Sequence, residues 1–145
     1  MHRKKLSEKL TDKSNFVVIA ELTGGPGFDF APIGKFLSAY KAGGSGAPGL
    51  LPAGFDFTAV ALPENPGGAA NIEPSAVLNY LEVNDLLADL DFIPHVSCKD
   101  ANADGIVSSL ISYRNMEINS VLALTGDKPI KAKAFSNWIQ SVCSD

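Results

Sequence analysis

Apolar positions along the chain follow two alternating rhythms. Four short runs, 16–22 (FVVIAEL), 57–62 (FTAVAL), 92–97 (FIPHVS) and 120–125 (SVLALT), are close to continuously apolar and rich in β-branched residues. A run that lacks in/out alternation marks a strand covered on both faces, as in a parallel sheet. Between the runs the period changes. Val77, Leu78, Leu81, Leu86, Leu87 and Leu90 recur at three- and four-residue steps from a start at Pro74–Ser75, which predicts an amphipathic helix over that stretch. Ile106, Val107, Leu110 and Ile111 repeat the pattern behind Asp100, the expected cap, and Asp29 with Pro32 opens a helix reaching about Lys41. A further helix, Leu6 to Lys13, precedes the first strand. Pro94 lies inside the third run and argues against a long, fully paired central strand there. Strands alternating with helices predict a mostly parallel sheet with helices outside it.

The connections add constraints. Gly24-Gly-Pro-Gly27 stands between a strand and a helix, the position of a phosphate loop, but Pro26 removes one of the N–H donors such a loop supplies. Residues 42–54 hold five glycines and two prolines. They lead into a strand and so present no helix N-terminus to an anion. After Ile130, Trp138, Ile139 and Val142 fit one apolar helix face in a tail, 130–145, that ends the single expected domain.

Composition narrows the class. A chain of 145 residues, 46% hydrophobic and 19% charged, suits one domain with a sizeable core. Twelve Lys and Arg against sixteen Asp and Glu give a net charge of -4, which offers no global attraction for nucleic acid or an anionic membrane. No apolar run approaches the ~20 residues that span a bilayer, and the basic opening Met1 to Lys5 is not followed by the apolar segment of a secretory signal. Cys98 and Cys143 form no C-x-x-C, so neither a disulfide framework nor a zinc cluster is expected, and a reducing, cytoplasmic setting is.

In parallel α/β proteins, acting groups gather where strands end. That selects Glu21 and Thr23, then Glu64 and Asn65, then His95, Ser97, Cys98 and Asp100, and last Thr125, Gly126 and Asp127. Glu21 closes an apolar run. Partial desolvation there would favour its protonated form, as a general acid needs; the competing reading is a strand-end carboxylate turned to solvent or paired with a Lys. Asp127, at the tip of Thr125-Gly-Asp-Lys-Pro129, could face a cofactor or cap its own turn. His95 stands alone inside a strand, with His2 the only other histidine, so a two-histidine metal site is not expected. Cys98 lacks a basic partner at a motif spacing, and no P-loop, G-x-G-x-x-G or G-x-S-x-G occurs.

These same residues carry a resemblance. The opening FVVIAELT with the following GFDF, the FTAVALPENP stretch 57–66, the IPHVSCKD stretch 93–100 and the VLALTGDKP stretch 121–129 occur in the order found in the methylenetetrahydrofolate reductases. The chain resembles that family from Phe16 to Pro129. The third element is similar to the family's P-H-[LV]-[ST]-C-x-D, the fourth to its A-L-x-G-D-x-P. The resemblance implies a TIM barrel that binds FAD and passes hydride from NAD(P)H to 5,10-methylenetetrahydrofolate, giving 5-methyltetrahydrofolate in one-carbon metabolism. It implies that Glu21 is the acid that opens the folate's imidazolidine ring to the iminium, that Asp127 lies near the flavin N1 edge and the pterin, and that His95 and Thr125 touch the flavin. Ala61 stands where some members carry a Thr that contacts it.

A TIM barrel takes about 250 residues and eight strands, and this chain offers four. The fold expected is therefore a partial barrel, the N-terminal half, completed by a missing C-terminal half or by a homo-oligomer. Two other readings follow: a catalytically inactive half-barrel serving as an assembly partner, and a flavodoxin-like binding domain, which would show a doubled-back strand order with helices on both faces.

Overall fold

The computed structural model describes residues 6–14, 16–23, 29–43, 57–68, 71–87, 90–99 and 101–128. The elements run α1 (Leu6–Thr11), β1 (Ile19–Glu21), α2 (Ala31–Gly43), β2 (Ala59–Leu62), a 3-10 turn (Pro66–Gly68), α3 (Pro74–Val83), β3 (Asp91–Ser97), α4 (Ala103–Asn115) and β4 (Leu122–Leu124). All four strands are parallel and stand in the order β1-β2-β3-β4. The order does not double back, against the flavodoxin-like alternative. The Gly24–Gly27 turn, most of the 42–54 connection, Asp100 and the tail after Ile130 lie outside the described residues.

Side chains of a strand alternate between faces, and here each face has its own core. Val60, Leu62, Phe92 and Val96 meet Ile33 and Leu37 of α2, Val77, Leu78 and Leu81 of α3, and Tyr113 of α4. The three crossover helices thus cover one face. The opposite face presents Ala59, Ala61 and Ile93, and α1 lays Leu6 against them. Small alanines make room for that helix, and Lys9 of α1 pairs with Asp91 at the amino end of β3, 3.2 Å.

Several boundaries differ from the sequence expectations. β1 is shorter than 16–22 and is not covered on both faces: Phe16 is 84% exposed, and Ile19 and Glu21 are exposed too. β4 is likewise short and exposed throughout. Each pairs on one side only among the described residues, so neither has the double cover that a continuous apolar run suggests. Pro94 does not weaken β3, which is the longest strand and central. The Cys98 N–H donates to the Leu124 carbonyl, 2.9 Å, so even-numbered amides of β3 face β4. Pro94 therefore lacks its N–H on the β4 side, one step before that ladder begins at His95↔Leu122, and no strand bond is lost.

The helix expected to run to Leu90 stops at Val83. Asp85 enters the left-handed region (φ 53), its N–H donates to the Glu82 carbonyl, 3.0 Å, and the Leu86 N–H donates to the Leu81 carbonyl, 2.8 Å. This is a Schellman end, whose apolar residue after the turn packs back on the helix, so Leu86 and Leu87 keep their apolar spacing outside the helix. α4 ends the same way: Glu117 is at φ 60, with Glu117 N–H to Arg114 O, 3.0 Å, and Ile118 N–H to Tyr113 O, 2.9 Å. At its start the cap is Asn102, whose side chain accepts from the Gly105 N–H, 2.8 Å, two residues beyond the expected Asp100. Asp29 does take a helix-end amide, that of Ala31, 2.8 Å.

A left-handed non-glycine residue costs about 1–2 kcal/mol, and Glu117 is exposed. Glu117→Gly should therefore raise the stability of the chain by up to ~1 kcal/mol, once the glycine's greater unfolded entropy is set against the relieved strain. A higher urea midpoint at unchanged slope would register it.

Candidate functional site

The carboxyl ends of the four strands form one rim. β1 and β2 are in register at Glu21↔Ala61, and β2 and β3 at Ala61↔Ile93. Two residues further along β3 comes His95, paired with Leu122, and then Ser97, paired with Leu124. By strand alternation Glu21, Ala61, His95 and Ser97 all lie on the face away from the crossover helices. Three of the residues expected to act, Glu21, Ala61 and His95, are brought together there. Thr125 and Asp127 follow β4 on the same rim, and both are exposed.

His95 is the most constrained of them. The residue is only 7% exposed, and among the described residues its Nε2 has no hydrogen-bond partner. Burial pushes its pKa below 6.5, while the charge of Glu21 acts in the opposite direction. The imidazole is thus neutral near pH 7, with one ring nitrogen unspent. Glu21, by contrast, is exposed. The partial desolvation expected of it from the apolar run is not met, because β1 lies at the sheet edge and nothing described packs over its end.

A second set of contacts ties the rim loops together. Pro63 ends β2, and the next ladder acceptor for the Ser97 N–H would have been the backbone of Glu64. The Glu64 carboxylate takes that N–H instead, 2.6 Å, so a side chain extends the ladder by one bond. Asn65 is in the left-handed region (φ 47) and its carbonyl accepts from Gly68 N–H, 3.0 Å, closing the turn. The Gly67 N–H donates to Oδ2 of Asp127, 2.9 Å, and Lys99 Nζ donates to the Asp127 carbonyl, 2.5 Å. Asp127 therefore bridges the loops after β2 and β4 and does not merely cap its own turn.

Gly126 makes that bridge sterically feasible. Its φ is 88, and a Cβ there would fall on Ser97 Oγ and lie 3.0 Å from Lys99 Cβ. Sequence reasoning put Glu64 and Ser97 on the rim without a role and passed over Lys99. The signal was Pro63, which leaves an amide of the neighbouring strand unpaired, but only the β2–β3 register shows which amide. Cys98 is exposed, and among the described residues no group of three or more His, Cys, Asp and Glu could hold a metal ion. A cavity of about 400 Å³ lies at the other end of the sheet, lined by Glu82, Asp91, Asn115 and Glu117 among others, away from the rim residues. Among the described residues no helix is long and apolar enough to cross a membrane.

No family model, curated protein or solved structure matches the chain. The site is therefore read from its own geometry.

Two outcomes follow from that geometry. Gly126→Ala should destabilise the chain by about 1–3 kcal/mol, since the alanine meets both a left-handed backbone and the Ser97 side chain, and a lowered urea midpoint measures it. Acid should weaken the fold through His95. Its folded pKa lies below the unfolded value, so the unfolded chain binds more protons between the two. The stabilising contribution is complete above pH 6.5 and is lost as the pH falls from there through the lowered folded value. Urea midpoints taken from about pH 8 to about pH 5 should fall in the wild type and fall less in His95→Gln.

Proposed function

We propose that the chain is the N-terminal, four-stranded part of a TIM barrel of the methylenetetrahydrofolate reductase type, with its flavin and folate site at the carboxyl rim of the sheet. The observation that carries the reading is the His95 imidazole: a ring nitrogen buried without a partner among the described residues, on the face of a parallel sheet away from the crossover helices, beside Glu21. Burying an unpaired polar atom is costly, and a polar ring edge bound over that face would satisfy it. The sequential parallel order, the crossover helices on one face and the stagger along β3 support a barrel segment, because closure requires strands that step along one another.

The residues present fit FAD. His95 Nε2 and the Thr125 hydroxyl supply polar contacts, and Ala61 supplies a small apolar surface beside Glu21. The Asp127 carboxylate, held by the Gly67 amide, supplies a fixed negative charge. When bound, FAD supplies hydride transfer from NAD(P)H to the folate. Around it the chain's own groups do the following. Glu21, once sheltered by a further wall of the site, would deliver a proton from a carboxyl Oε to the folate, so that the imidazolidine ring opens to the iminium that accepts hydride. Asp127 disfavours negative charge building nearby, which favours donation of hydride over its retention. Neutral His95 orients the ring edge without adding charge.

A second reading, an inactive half-barrel that acts as an assembly partner, draws on the exposure of Glu21. Proton delivery asks for a carboxyl sheltered from water, so it needs cover from a further wall of the site. The two readings part in one experiment with the 145-residue chain. FAD titrations followed by flavin fluorescence should show binding in the wild type and in Glu21→Gln, with about tenfold weaker binding in His95→Ala, the loss of one buried hydrogen bond. NAD(P)H-dependent reduction of methylenetetrahydrofolate should be slow in the wild type and slower still in Glu21→Gln. Absence of FAD binding would overturn the flavoprotein reading; binding with no turnover at all would favour the assembly partner.

A further inference from the structure

β4 leaves a backbone edge open. The Cys98 N–H donates to the Leu124 carbonyl, 2.9 Å, so Leu122 and Leu124 spend their peptide groups on β3 while those of Val121, Ala123 and Thr125 point the other way. Among the described residues no strand meets them there. Edges are commonly guarded by a charge or a proline, and the run 121–124 (VLAL) carries neither. α4 is bare on the same side. Ile106 and Tyr113 turn to the core, and α3 packs against α4. Val107, Leu110 and Ile111 lie on the flank turned away from α3, 53%, 39% and 57% exposed, and their i, i+3, i+4 spacing makes one apolar ridge. Asp104 and Arg114 stand at its two ends, both exposed.

We infer that a second copy of this chain covers edge and ridge together, across one two-fold axis perpendicular to the sheet beside β4. Such an axis sets each β4 antiparallel to the other and each α4 antiparallel to the other, on one face. The charges at 104 and 114 and the ridge from 107 to 111 share a midpoint, position 109. An antiparallel copy therefore lays Val107 on Ile111 and Asp104 on Arg114, twice over, as a self-complementary contact requires. Along the strand the axis passes Ala123, whose outward N–H and carbonyl then pair with those of the other Ala123, with Leu122 opposite Leu124. The heights agree. Gly126 passes over Ser97 at the rim, and Ala123 lies about 10 Å below it along the strand. α4 starts at the same rim with Ala103, and position 109 lies about 9 Å down the helix. Each centred over its own β3–β4 pair, the two helices would stand two strand spacings, about 10 Å, apart, which is a helix-packing distance. One ridge and one short strand make a small interface, so the dimer dissociates on dilution. The inference rests on the fold and not on the flavin reading.

Sedimentation equilibrium of the 145-residue chain over a dilution series tests it. The wild type should rise with concentration from the mass of one chain to that of two and stop there. Asp104→Arg and Arg114→Asp each set like charges together at both ends of the contact, and each should weaken the dimer about tenfold or more. Mixed in equal amounts, the two variants should associate again, because each then meets the opposite charge on the other. Both sites are exposed, and far-UV circular dichroism checks that the variants stay folded. Val83→Asp, at an exposed site on α3 (76%), should leave the dimer unchanged. A wild type that stays one chain at every concentration would overturn the inference. So would a dimer indifferent to the charge reversals, a mixture that fails to recover, or growth beyond two copies, which would assign the β4 edge to the β1 edge of the next copy.

Discussion

Because β2 pairs with β3 over Asp91 to Pro94 and β4 pairs with it over His95 to Ser97, the whole sheet turns on the backbone of one seven-residue strand. β3 gives its amino half to one neighbour and its carboxyl half to the other. That division decides three things at once. It lets a proline sit mid-strand without breaking a ladder bond. It steps β4 toward the rim relative to β2, so that the loop after β4 reaches across to the loop after β2. And it leaves the Ser97 N–H beyond the end of β2, where only the Glu64 side chain can meet it. A buried amide without a partner would cost ~1–3 kcal/mol, so the placement of Glu64 follows from the stagger.

The rim inherits its rigidity from this arrangement. Glu64 holds the end of β3, Gly67 holds Asp127, Lys99 holds the Asp127 carbonyl, and Gly126 passes close over Ser97. The loops after β2, β3 and β4 are therefore one hydrogen-bonded unit. His95 sits one residue pair below it, enclosed and with Nε2 unspent. Rigid backbone around an unsatisfied polar atom is the arrangement expected where a ligand completes the structure.

What the sequence made legible was the part governed by local rules. The βα alternation, the strand centres and the helix starts follow from periodicity, proline and caps, and the parallel order follows from the crossovers. The boundaries that failed were set by partners. Leu86 and Leu87 keep helical spacing past Val83 because a Schellman end folds the next apolar residue back on the helix, and nothing in Asn84-Asp85 announces it as glycine would. β1 and β4 read as buried strands, yet burial depends on neighbours on both sides, which an apolar run cannot reveal. The same limit applies to the site. Glu21, His95 and Asp127 were findable as strand-end polar residues, whereas Glu64 and Lys99 act through register and through loop-to-loop reach.

The contrast between His95 and Glu21 shows how far the four strands go toward a working site. Both lie on the face away from the crossover helices, but β3 is central and β1 is an edge. His95 is therefore enclosed by neighbours on either side and held neutral, while Glu21 is left to water. Binding asks for a polar atom that lacks a partner, and a central strand is enough to create one. Proton delivery asks for a carboxyl sheltered from solvent, and an edge strand cannot provide that by itself. On the proposed reading, whatever packs beyond β1 would control the acid, and what lies over β3 would control recognition. Under the proposed reading, binding and proton delivery would depend on different parts of the fold, so that affinity for a flat polar ring could persist where catalysis does not.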